Sequence, residues 1–286
     1  MTVLEAIQRS TEFLTKKGVD SPRLQTELLL SHLLQQPRMQ LYLNFQQVLT
    51  PPEVERLREF VKRRGQREPL QHIVGSTSFC GLEIAVNRSV LIPRPETELL
   101  AERGWTFLNQ LAAPSQPPAV LDFGTGSGCL AIALAHHCPA ARVQAVDLSP
   151  AALALARDNA ARHGLAERIQ FLAGDGFAPV PRGTQFDLII SNPPYIPSAD
   201  IATLQPEVRD YDPAGALDGG PEGLDYYRRL AAAAPPFLKP GGRLMLECGD
   251  GQAGSISHLL KQQKWIVEAI QEDYSHTPRL VIARRD

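Results

Sequence analysis

The chain has 286 residues, of which 43% are hydrophobic and 21% charged, and its formal net charge is −2 with a pI of about 6.4. This length suits one large domain or two unequal ones, and the composition is that of a globular protein. The charge excludes a strongly basic nucleic-acid binder, no run approaches the roughly 20 apolar residues of a membrane span, and the amphipathic N-terminus lacks the pattern of a secretory signal.

The cysteines and histidines show no pattern of a disulfide framework or a metal site. Cys80, Cys129, Cys138 and Cys248 are scattered, with no C-x-x-C pair among them. Such usage favours reduced thiols in a cytoplasmic protein. We interpret the histidines as surface or core residues, and we expect no metal.

Residues 1–72 predict a small helical bundle. Apolar residues recur at helical spacing from Leu4 onwards, and Gly18 is placed to end this first helix. Ser21-Pro22 predicts an N-cap and a first helical residue for a second helix, and Thr50-Pro51-Pro52 predicts a third in the same way. Residues 73–95 then change to strand-like alternation with turn glycines, which predicts a β-hairpin that links the bundle to the rest.

Residues 96–286 predict an α/β domain with a doubly wound, mostly parallel sheet. A helix from about Glu96 and a short linker, Ala113–Pro118, precede alternating strands and helices. The last two strands have only a short connection, so we expect them to pair antiparallel. The seven predicted strands are AVLDF, RVQAVDL, IQFLAG, FDLIIS, GGRLMLEC, WIVEAIQED and RLVIARR.

A glycine-rich loop follows the first strand of this domain. Glycines let the backbone turn tightly and approach a ligand in front of the following helix. Asp147 ends the next strand, 23 residues after Gly124, where a carboxylate accepts hydrogen bonds from a ribose diol. The loop residues that we assign to cofactor binding are Gly124, Thr125, Gly126, Ser127 and Gly128.

The loop and Asp147 indicate a nucleoside-containing cofactor and leave NAD, FAD and S-adenosylmethionine open. The glycine spacing is G-x-G-x-G and not the G-x-G-x-x-G of dinucleotide sites. No second nucleotide-binding half follows, and both facts favour S-adenosylmethionine. Asp175, after the third strand, either accepts a hydrogen bond from an adenine amino group or forms a Gly-Asp-Gly turn.

Asn192, Pro193, Pro194 and Tyr195 directly follow the fourth strand. The two prolines fix φ and remove two backbone donors, so the chain stiffens there. Because strand ends converge on one crevice, we expect this segment beside the cofactor. The Asn192 oxygen and the Pro193 carbonyl accept the two N–H groups of a planar nitrogen, and the Tyr195 ring packs against its plane. Such positioning removes on the order of 7–11 kcal/mol of barrier.

The sequence resembles a known group of enzymes at these motifs. DFGTGSG together with NPPY resembles the class I methyltransferases that act on planar nitrogens of adenine, guanine or glutamine. SPRLQTELLLSHLL, LIPRPETELL, ISNPPYIP and DPAGALDGGPEGLDYYRRL together resemble the peptide chain release factor glutamine methyltransferases. The resemblance covers nearly the whole chain. It implies methyl transfer from S-adenosylmethionine to the glutamine of the Gly-Gly-Gln loop in class I release factors.

The same resemblance implies roles for individual residues. It assigns Asn192, Pro193, Pro194 and Tyr195 to the glutamine pocket, and the N-terminal bundle to docking of the release factor. It places Arg94, Pro95 and Thr97 in a segment against the cofactor, and Phe177 near the adenine through a shift of one residue. The implied cofactor-binding set is Gly124, Thr125, Gly126, Ser127, Gly128, Asp147, Asp175, Phe177, Asn192 and Thr97.

Four alternatives remain beside this interpretation. A glutamine methyltransferase of a ribosomal protein shares the catalytic motif. A nucleic-acid methyltransferase is disfavoured by the pI, although REFVKRRGQR could contact phosphates. A nicotinamide oxidoreductase lacks support in the glycine spacing, and a non-catalytic protein would need neither motif. We expect a monomer with no membrane partner and no direct nucleic-acid substrate.

Overall fold

The structure is a computed structural model that describes residues 1–113 and 116–285. It forms two compact units, one of Met1–Ser76 with Gln205–Tyr211 and the other of Thr77–Leu204 with Asp212–Asp286. Pro114 and Ser115 of the predicted linker, and the terminal Asp286 of the predicted catalytic domain, lie outside the described residues. No helix in the described ranges has the length and apolarity of a membrane span.

Helices and strands follow the order that the sequence predicts, with additional short helices. The helices are α1 Val3–Lys16, α2 Pro22–Leu34, α3 Arg38–Leu43, α4 Pro51–Gly65, α5 Leu70–Val74, α6 Pro95–Leu111, α7 Cys129–His137, α8 Pro150–Arg162, α9 Pro206–Arg209, α10 Asp225–Ala233 and α11 Ala253–Gln262. The strands are β1 Ser76–Phe79, β2 Leu82–Ala85, β3 Ala119–Phe123, β4 Arg142–Asp147, β5 Ile169–Ala173, β6 Phe186–Ser191, β7 Leu238–Glu247, β8 Ile266–Glu272 and β9 Pro278–Arg284.

The first unit is a helical bundle around a leucine-rich core. Gly18 follows α1 in the left-handed conformation, and Thr50 precedes α4 with its backbone N–H bonded to the Glu53 carboxylate, as a capping box requires. The prediction that Ser21 caps α2 is wrong. Its φ is 48° and its side chain makes no capping hydrogen bond, although Pro22 is the first helical residue. The short α3 and α5 were not predicted, because neither has a periodic apolar run.

The segment Gln205–Tyr211 belongs to this first unit through ion pairs. Glu207, which lies on α9, accepts from Arg64 at 2.7 Å and from Arg67 at 2.6 Å. The Arg64 side chain is almost completely buried, and a buried guanidinium without a carboxylate would be costly. This arrangement joins residues about 140 positions apart in the chain.

The second unit is built on one seven-stranded sheet in the order β5-β4-β3-β6-β7-β9-β8. The first five strands of that order pair in parallel, and β9 pairs antiparallel with both β7 and β8. These pairings confirm the predicted doubly wound sheet with an antiparallel end. The strand order reverses between β3 and β6, which is where such sheets form their crevice.

Alternate residues of the central strands face two separate cores. Val120 and Leu188 pack with the helices α6, α7 and α8, and Leu121 and Ile189 pack with α10 and α11. Both faces of the sheet are thus covered, as near-continuous apolar strands require. This packing therefore fixes the positions of the carboxyl ends of the parallel strands along one edge of the sheet.

The hairpin β1–β2 is fixed to the glycine-rich loop by one asparagine. The Asn159 side chain on α8 accepts from the Ala85 N–H at 2.9 Å, and it donates to the carbonyls of Ala85 and Ser127 at 3.0 and 2.9 Å. Asn159 is fully buried, so these bonds satisfy an amide that would otherwise be costly to bury. The predicted hairpin is confirmed, and its end supports the floor of the crevice.

Candidate active site

The glycine-rich loop turns from β3 into α7 through three residues of positive φ. The φ angles of Gly124, Gly126 and Gly128 are 75°, 54° and 81°. A Cβ built on Gly124 or Gly126 would meet no atom within 4 Å, so these positions border open space that a ligand can enter. A Cβ on Gly128 would lie 3.0 Å from the Ala156 Cβ. Gly128 therefore allows α7 and α8 to pack closely.

A buried aspartate supports the loop from beneath. The Asp122 Oδ2 accepts from the Thr125 hydroxyl at 2.6 Å and from the Ala131 N–H at 3.1 Å. Its complete burial raises the pKa of Asp122 to about 7, and its Oδ1 has no hydrogen-bond partner in the described chain. Asp122 is not among the site residues predicted from the sequence. A charged residue inside the apolar strand AVLDF was the available signal.

Asp147 closes the other side of the loop at the end of β4. Its carboxylate accepts from the Gly126 N–H and from the Ser149 N–H, each at 2.8 Å. A carboxylate offers about four acceptor positions, so capacity remains for a ligand hydroxyl. Leu148 follows with an exposed apolar side chain that lines the same space.

These elements enclose a cavity of about 300 Å³ at the carboxyl edge of β3, β4 and β6. That volume is within the range of small-molecule sites. The glycine positions open to it, together with the Asp147 acceptors, fit a nucleoside-containing cofactor. The predicted site residues that line it are Arg94, Thr97, Gly124, Thr125, Gly126, Ser127, Asp147, Asp175, Asn192 and Pro194.

Five predicted residues are not part of that lining: Pro95, Gly128, Phe177, Pro193 and Tyr195. The Phe177 ring stacks on Phe237 with centroids 4.6 Å apart and lies 5.2 Å from the Phe123 ring. Phe177 is partly buried and packs against the core beside Phe123, which lines the cavity. Asp175 forms an ion pair with Arg229 at 2.7 Å.

The Asn-Pro-Pro-Tyr segment leaves β6 beside the cavity. The Asn192 Nδ2 donates to the Thr97 hydroxyl on α6 at 3.1 Å. The Tyr195 carbonyl accepts from the Gln252 Nε2 at 2.9 Å, and burial raises the pKa of the Tyr195 hydroxyl to about 12. The phenol is therefore neutral at physiological pH, which suits contact with a neutral planar group.

Three glycines hold this segment from behind, and we call Gly219, Gly223 and Gly249 the glycine clamp. A Cβ on Gly219 would lie 2.8 Å from the Pro194 oxygen, and one on Gly223 would lie 2.2 Å from the Tyr195 oxygen. A Cβ on Gly249 would lie 3.0 Å from the Tyr195 ring. No larger residue fits these positions without displacing the segment. Gly219 and Gly223 lie in the stretch DPAGALDGGPEGLDYYRRL, which carries the family resemblance but whose pattern assigns these glycines no role.

Backbone hydrogen bonds and an ion pair also hold the residues around the Asn-Pro-Pro-Tyr segment in place. The Ile196 N–H donates to the Leu217 carbonyl at 3.0 Å, and the Gly219 N–H donates to the Ile196 carbonyl at 2.9 Å. Arg94 forms an ion pair with the buried Asp212 at 2.6 Å. The stretches LIPRPETELL and DPAGALDGG thereby meet at the site.

Comparison with known proteins shows two family matches and strong similarity to curated relatives. Residues 5–75 match the family described as the PrmC N-terminal domain, and residues 103–205 match the methyltransferase small domain. The chain is 49% identical over 256 residues to the release factor glutamine methyltransferase of Geobacter sulfurreducens, covering 89% of this chain and 87% of the relative. It is 44% identical to the protein of that name from Chlorobaculum tepidum, covering 97% and 95%.

The sheet architecture also occurs in solved methyltransferase structures. A methyltransferase from Pyrococcus furiosus matches with a TM-score of 0.54 at 20% sequence identity, covering 72% of this chain and 90% of that one. At this identity the match shows a shared fold.

Proposed function

Because this chain belongs to the release factor glutamine methyltransferase family, we propose that it methylates the side-chain amide nitrogen of a glutamine in a class I release factor. It is an S-adenosylmethionine-dependent methyltransferase. The resemblance of its motifs implies the Gly-Gly-Gln loop as the target. The observation that carries the proposal is an asparagine amide, fixed in place by Thr97, beside a cavity suited to a nucleoside cofactor.

Different residues of the cavity contact different parts of the cofactor. Gly124 and Gly126 let the backbone come close to it, and the Asp147 carboxylate accepts from the ribose hydroxyls. Leu148 offers an apolar surface to the base. When bound, S-adenosylmethionine supplies an electrophilic methyl group on a sulfonium. Asp175 is a second candidate for the base, with the turn-forming interpretation still open.

The Asn-Pro-Pro-Tyr segment orients the substrate nitrogen. The Asn192 oxygen and the Pro193 carbonyl accept its two N–H groups, so its lone pair points along the line of transfer. The glycine clamp packs against Pro194 and Tyr195, directly after these acceptors, and so limits the movement of the segment, which is the condition for catalysis by positioning. With S-adenosylmethionine bound, the nitrogen so oriented would form the new C–N bond as the methyl–sulfur bond breaks with its electron pair on sulfur. The nitrogen then loses a proton to water, because an N-protonated amide is strongly acidic.

The test is methyl transfer from labelled S-adenosylmethionine to a purified class I release factor, beside a Gln→Ala variant of its Gly-Gly-Gln loop. Label on the first protein and none on the second supports the proposal. Label on both would place the reaction at another residue. No label on either, with cofactor binding measured directly, would reject the release factor as substrate. Parallel assays with a ribosomal protein and with RNA would then test those alternatives.

Three further statements stay predictions of this proposal. The helical bundle of residues 1–72 helps to dock the release factor, the enzyme acts as a monomer, and it works in the cytoplasm. Deletion of a whole element would confound folding with docking. Light scattering of the free enzyme and of its mixture with the release factor therefore gives the more direct test of stoichiometry.

A further inference from the structure

The side chain of Gln252 connects the Asn-Pro-Pro-Tyr segment to two members of the glycine clamp. Its Nε2 donates to the Tyr195 carbonyl at 2.9 Å and to the Gly223 carbonyl at 3.4 Å, and its Oε1 accepts from the Gly249 N–H at 3.0 Å. These three partners follow β6, precede α10 and follow β7, respectively. One partly buried amide thus joins three separate loops beside Tyr195.

The backbone of Gln252 is held in place independently of its side chain. Its N–H donates to the Gly249 carbonyl at 3.2 Å, and its carbonyl accepts from the Ile256 N–H at 3.0 Å in the first turn of α11. Ala253 and Ile256 of the same turn are buried in the core on one face of the sheet. The amide therefore extends from a packed helix end, which gives it a fixed position from which to hold the Tyr195 carbonyl.

A carboxamide of this length matches the requirements of all three partners. The Gly249 N–H needs an acceptor, whereas the carbonyls of Tyr195 and Gly223 need donors. A carboxylate only accepts, an ammonium group only donates, and a thioether is only a weak acceptor. Rotation of the Gln252 amide by 180° would place its oxygen against two carbonyls and its NH₂ group against an N–H. The surroundings thus determine both the kind of side chain and its orientation.

The two glycines are also required for this close approach. A Cβ on Gly223 would lie 2.7 Å from the Gln252 Nε2, and a Cβ on Gly249 would lie 2.8 Å from its Oε1. The same Cβ on Gly249 would lie 3.0 Å from the Tyr195 ring. Gln252 therefore holds the backbone of Tyr195 at the place where Gly249 limits the position of its ring.

We propose that Gln252 is a positioning residue for methyl transfer, which holds the Tyr195 carbonyl so that the Tyr195 ring stays in place against the substrate amide. This inference rests on the proposed function, since that function requires the Asn-Pro-Pro-Tyr segment to orient the substrate nitrogen. Gln252 and Tyr195 are both outside the lining of the cofactor cavity. The role of Gln252 therefore concerns the orientation of the substrate and not the binding of the cofactor.

Substitutions at Gln252 separate hydrogen bonding from space filling. Gln252→Met keeps nearly the same volume without the hydrogen bonds, and Gln252→Glu keeps an acceptor for Gly249 but turns a carboxylate towards two carbonyls. Because misplacement by about 1 Å can lower a rate about 100-fold, we expect kcat to fall about 10- to 100-fold in both variants. Gln252→Asn, whose amide is shorter by one methylene, should lose less. The dissociation constant of S-adenosylmethionine should stay close to the wild-type value, which would show that the variants are folded.

A double-mutant cycle with Tyr195→Ala tests whether Gln252 acts through the ring. If it does, Gln252→Met should lower kcat only slightly further once the ring is absent, whereas a general effect on the fold would persist. Gln185→Met is the matched control, with wild-type kcat expected, because the Gln185 amide also donates to a backbone carbonyl, that of Leu238 at 3.4 Å, but directly before β6. A wild-type kcat in Gln252→Met, or a full loss that persists beside Tyr195→Ala, would overturn the inference.

A measurement without substrate keeps this inference separate from the proposed function. The Ile196 N–H donates to the Leu217 carbonyl, so its hydrogen exchange reports movement of the segment itself. We expect this exchange to be at least about fivefold faster in Gln252→Met, consistent with the loss of ordinary hydrogen bonds, and unchanged in Gln185→Met. If no release factor is methylated, the proposed function fails, whereas faster exchange would still support the role of Gln252 in holding the segment. Unchanged Ile196 exchange in Gln252→Met would overturn that role.

Discussion

At the scale of single residues, the site separates cofactor binding from substrate orientation. Asp147 contacts the loop and the cavity but makes no hydrogen bond with the Asn-Pro-Pro-Tyr segment. Asn192 is held by Thr97 on the opposite side. The two functions should therefore respond to different substitutions.

Substitution of Asn192 tests the acceptor role. Asn192→Ala removes the oxygen proposed to accept the substrate N–H, and we expect turnover to fall at least 100-fold, consistent with loss of a well-placed hydrogen bond plus lost positioning. The dissociation constant of S-adenosylmethionine, measured by calorimetry, should change by less than about threefold. Asn109→Ala, at an exposed asparagine on α6, is the control. Equal losses of cofactor binding and turnover would contradict the assigned role.

Substitution of Asp147 should have the opposite effect. Asp147→Ala removes a charged acceptor, and such hydrogen bonds contribute about 1.5–3 kcal/mol, so we expect cofactor affinity to weaken about 10- to 100-fold. The kcat at saturating cofactor should remain within a few-fold of the wild type. The affinities for S-adenosylhomocysteine and for its 2′-deoxy analogue, measured in both proteins, distinguish loss of a direct contact between Asp147 and the ribose from disorder of the loop. If the affinities of the variant for the two ligands differ by the same factor as those of the wild type, Asp147 does not contact the ribose.

At the scale of elements, the glycine clamp determines the direction of the rigid Asn-Pro-Pro-Tyr segment. Two prolines stiffen the backbone of residues 193–194, but they do not decide where it points. The bonds of Ile196 with Leu217 and Gly219 and the close approach of Gly223 provide that direction. The segment and its clamp therefore act as one unit.

Gly223→Ala tests this clamp. The new Cβ would lie 2.2 Å from the Tyr195 oxygen at a φ of 70°, so we expect a loss of stability on the order of 2–4 kcal/mol and at least a tenfold lower kcat. Gly183→Ala is the matched control, because Gly183 has a φ of 81° and open space around it. It should lose only about 1–2 kcal/mol, with kcat retained. Denaturant titration and single-turnover rates give both quantities, and similar kcat values would reject the clamp.

At the scale of the whole molecule, one sheet with two cores carries the site, and a buried acid lies at its centre. Asp122 is fully buried in β3, and burial raises its pKa to about 7. An acid of this kind takes up a proton on folding between its unfolded pKa, near 4, and its folded pKa. Its favourable contribution is therefore complete below pH 4 and is lost as the pH rises through about 7.

The pH dependence of unfolding checks this behaviour. The stability of the wild type relative to Asp122→Asn should fall by on the order of 2–4 kcal/mol between pH 4 and pH 8, because the asparagine does not titrate. Urea unfolding at several pH values measures both proteins. A stability difference that stays constant over this range would show that Asp122 does not titrate as its burial requires. Burial also raises the pKa of Glu247 to about 7, so Glu247→Gln allows the same comparison at a second, independent acid.

Much of this protein was predictable because short-range rules determine it. Apolar periodicity, capping residues and turn glycines located the major helices and the nine strands of the described residues, and the G-x-G-x-G loop and NPPY located the site. The misplaced cap at Ser21 and the short α3 and α5 show the limit of such rules. Packing against the bundle core determines those elements more than local preference does.

The sequence by itself determined the fold class, the predicted strands that the glycine-rich loop, Asp147 and the Asn-Pro-Pro-Tyr segment follow, and the kind of cofactor. Each of these depends on patterns among residues that are close together in the chain. Only the tertiary structure brought Thr97 and Asn192, 95 positions apart, into hydrogen-bond contact, and only it stacked Phe177 on Phe237 next to Phe123. The physical reason is that contacts between residues 50 to 150 positions apart depend on how the sheet and its helices pack, and no local pattern encodes that packing.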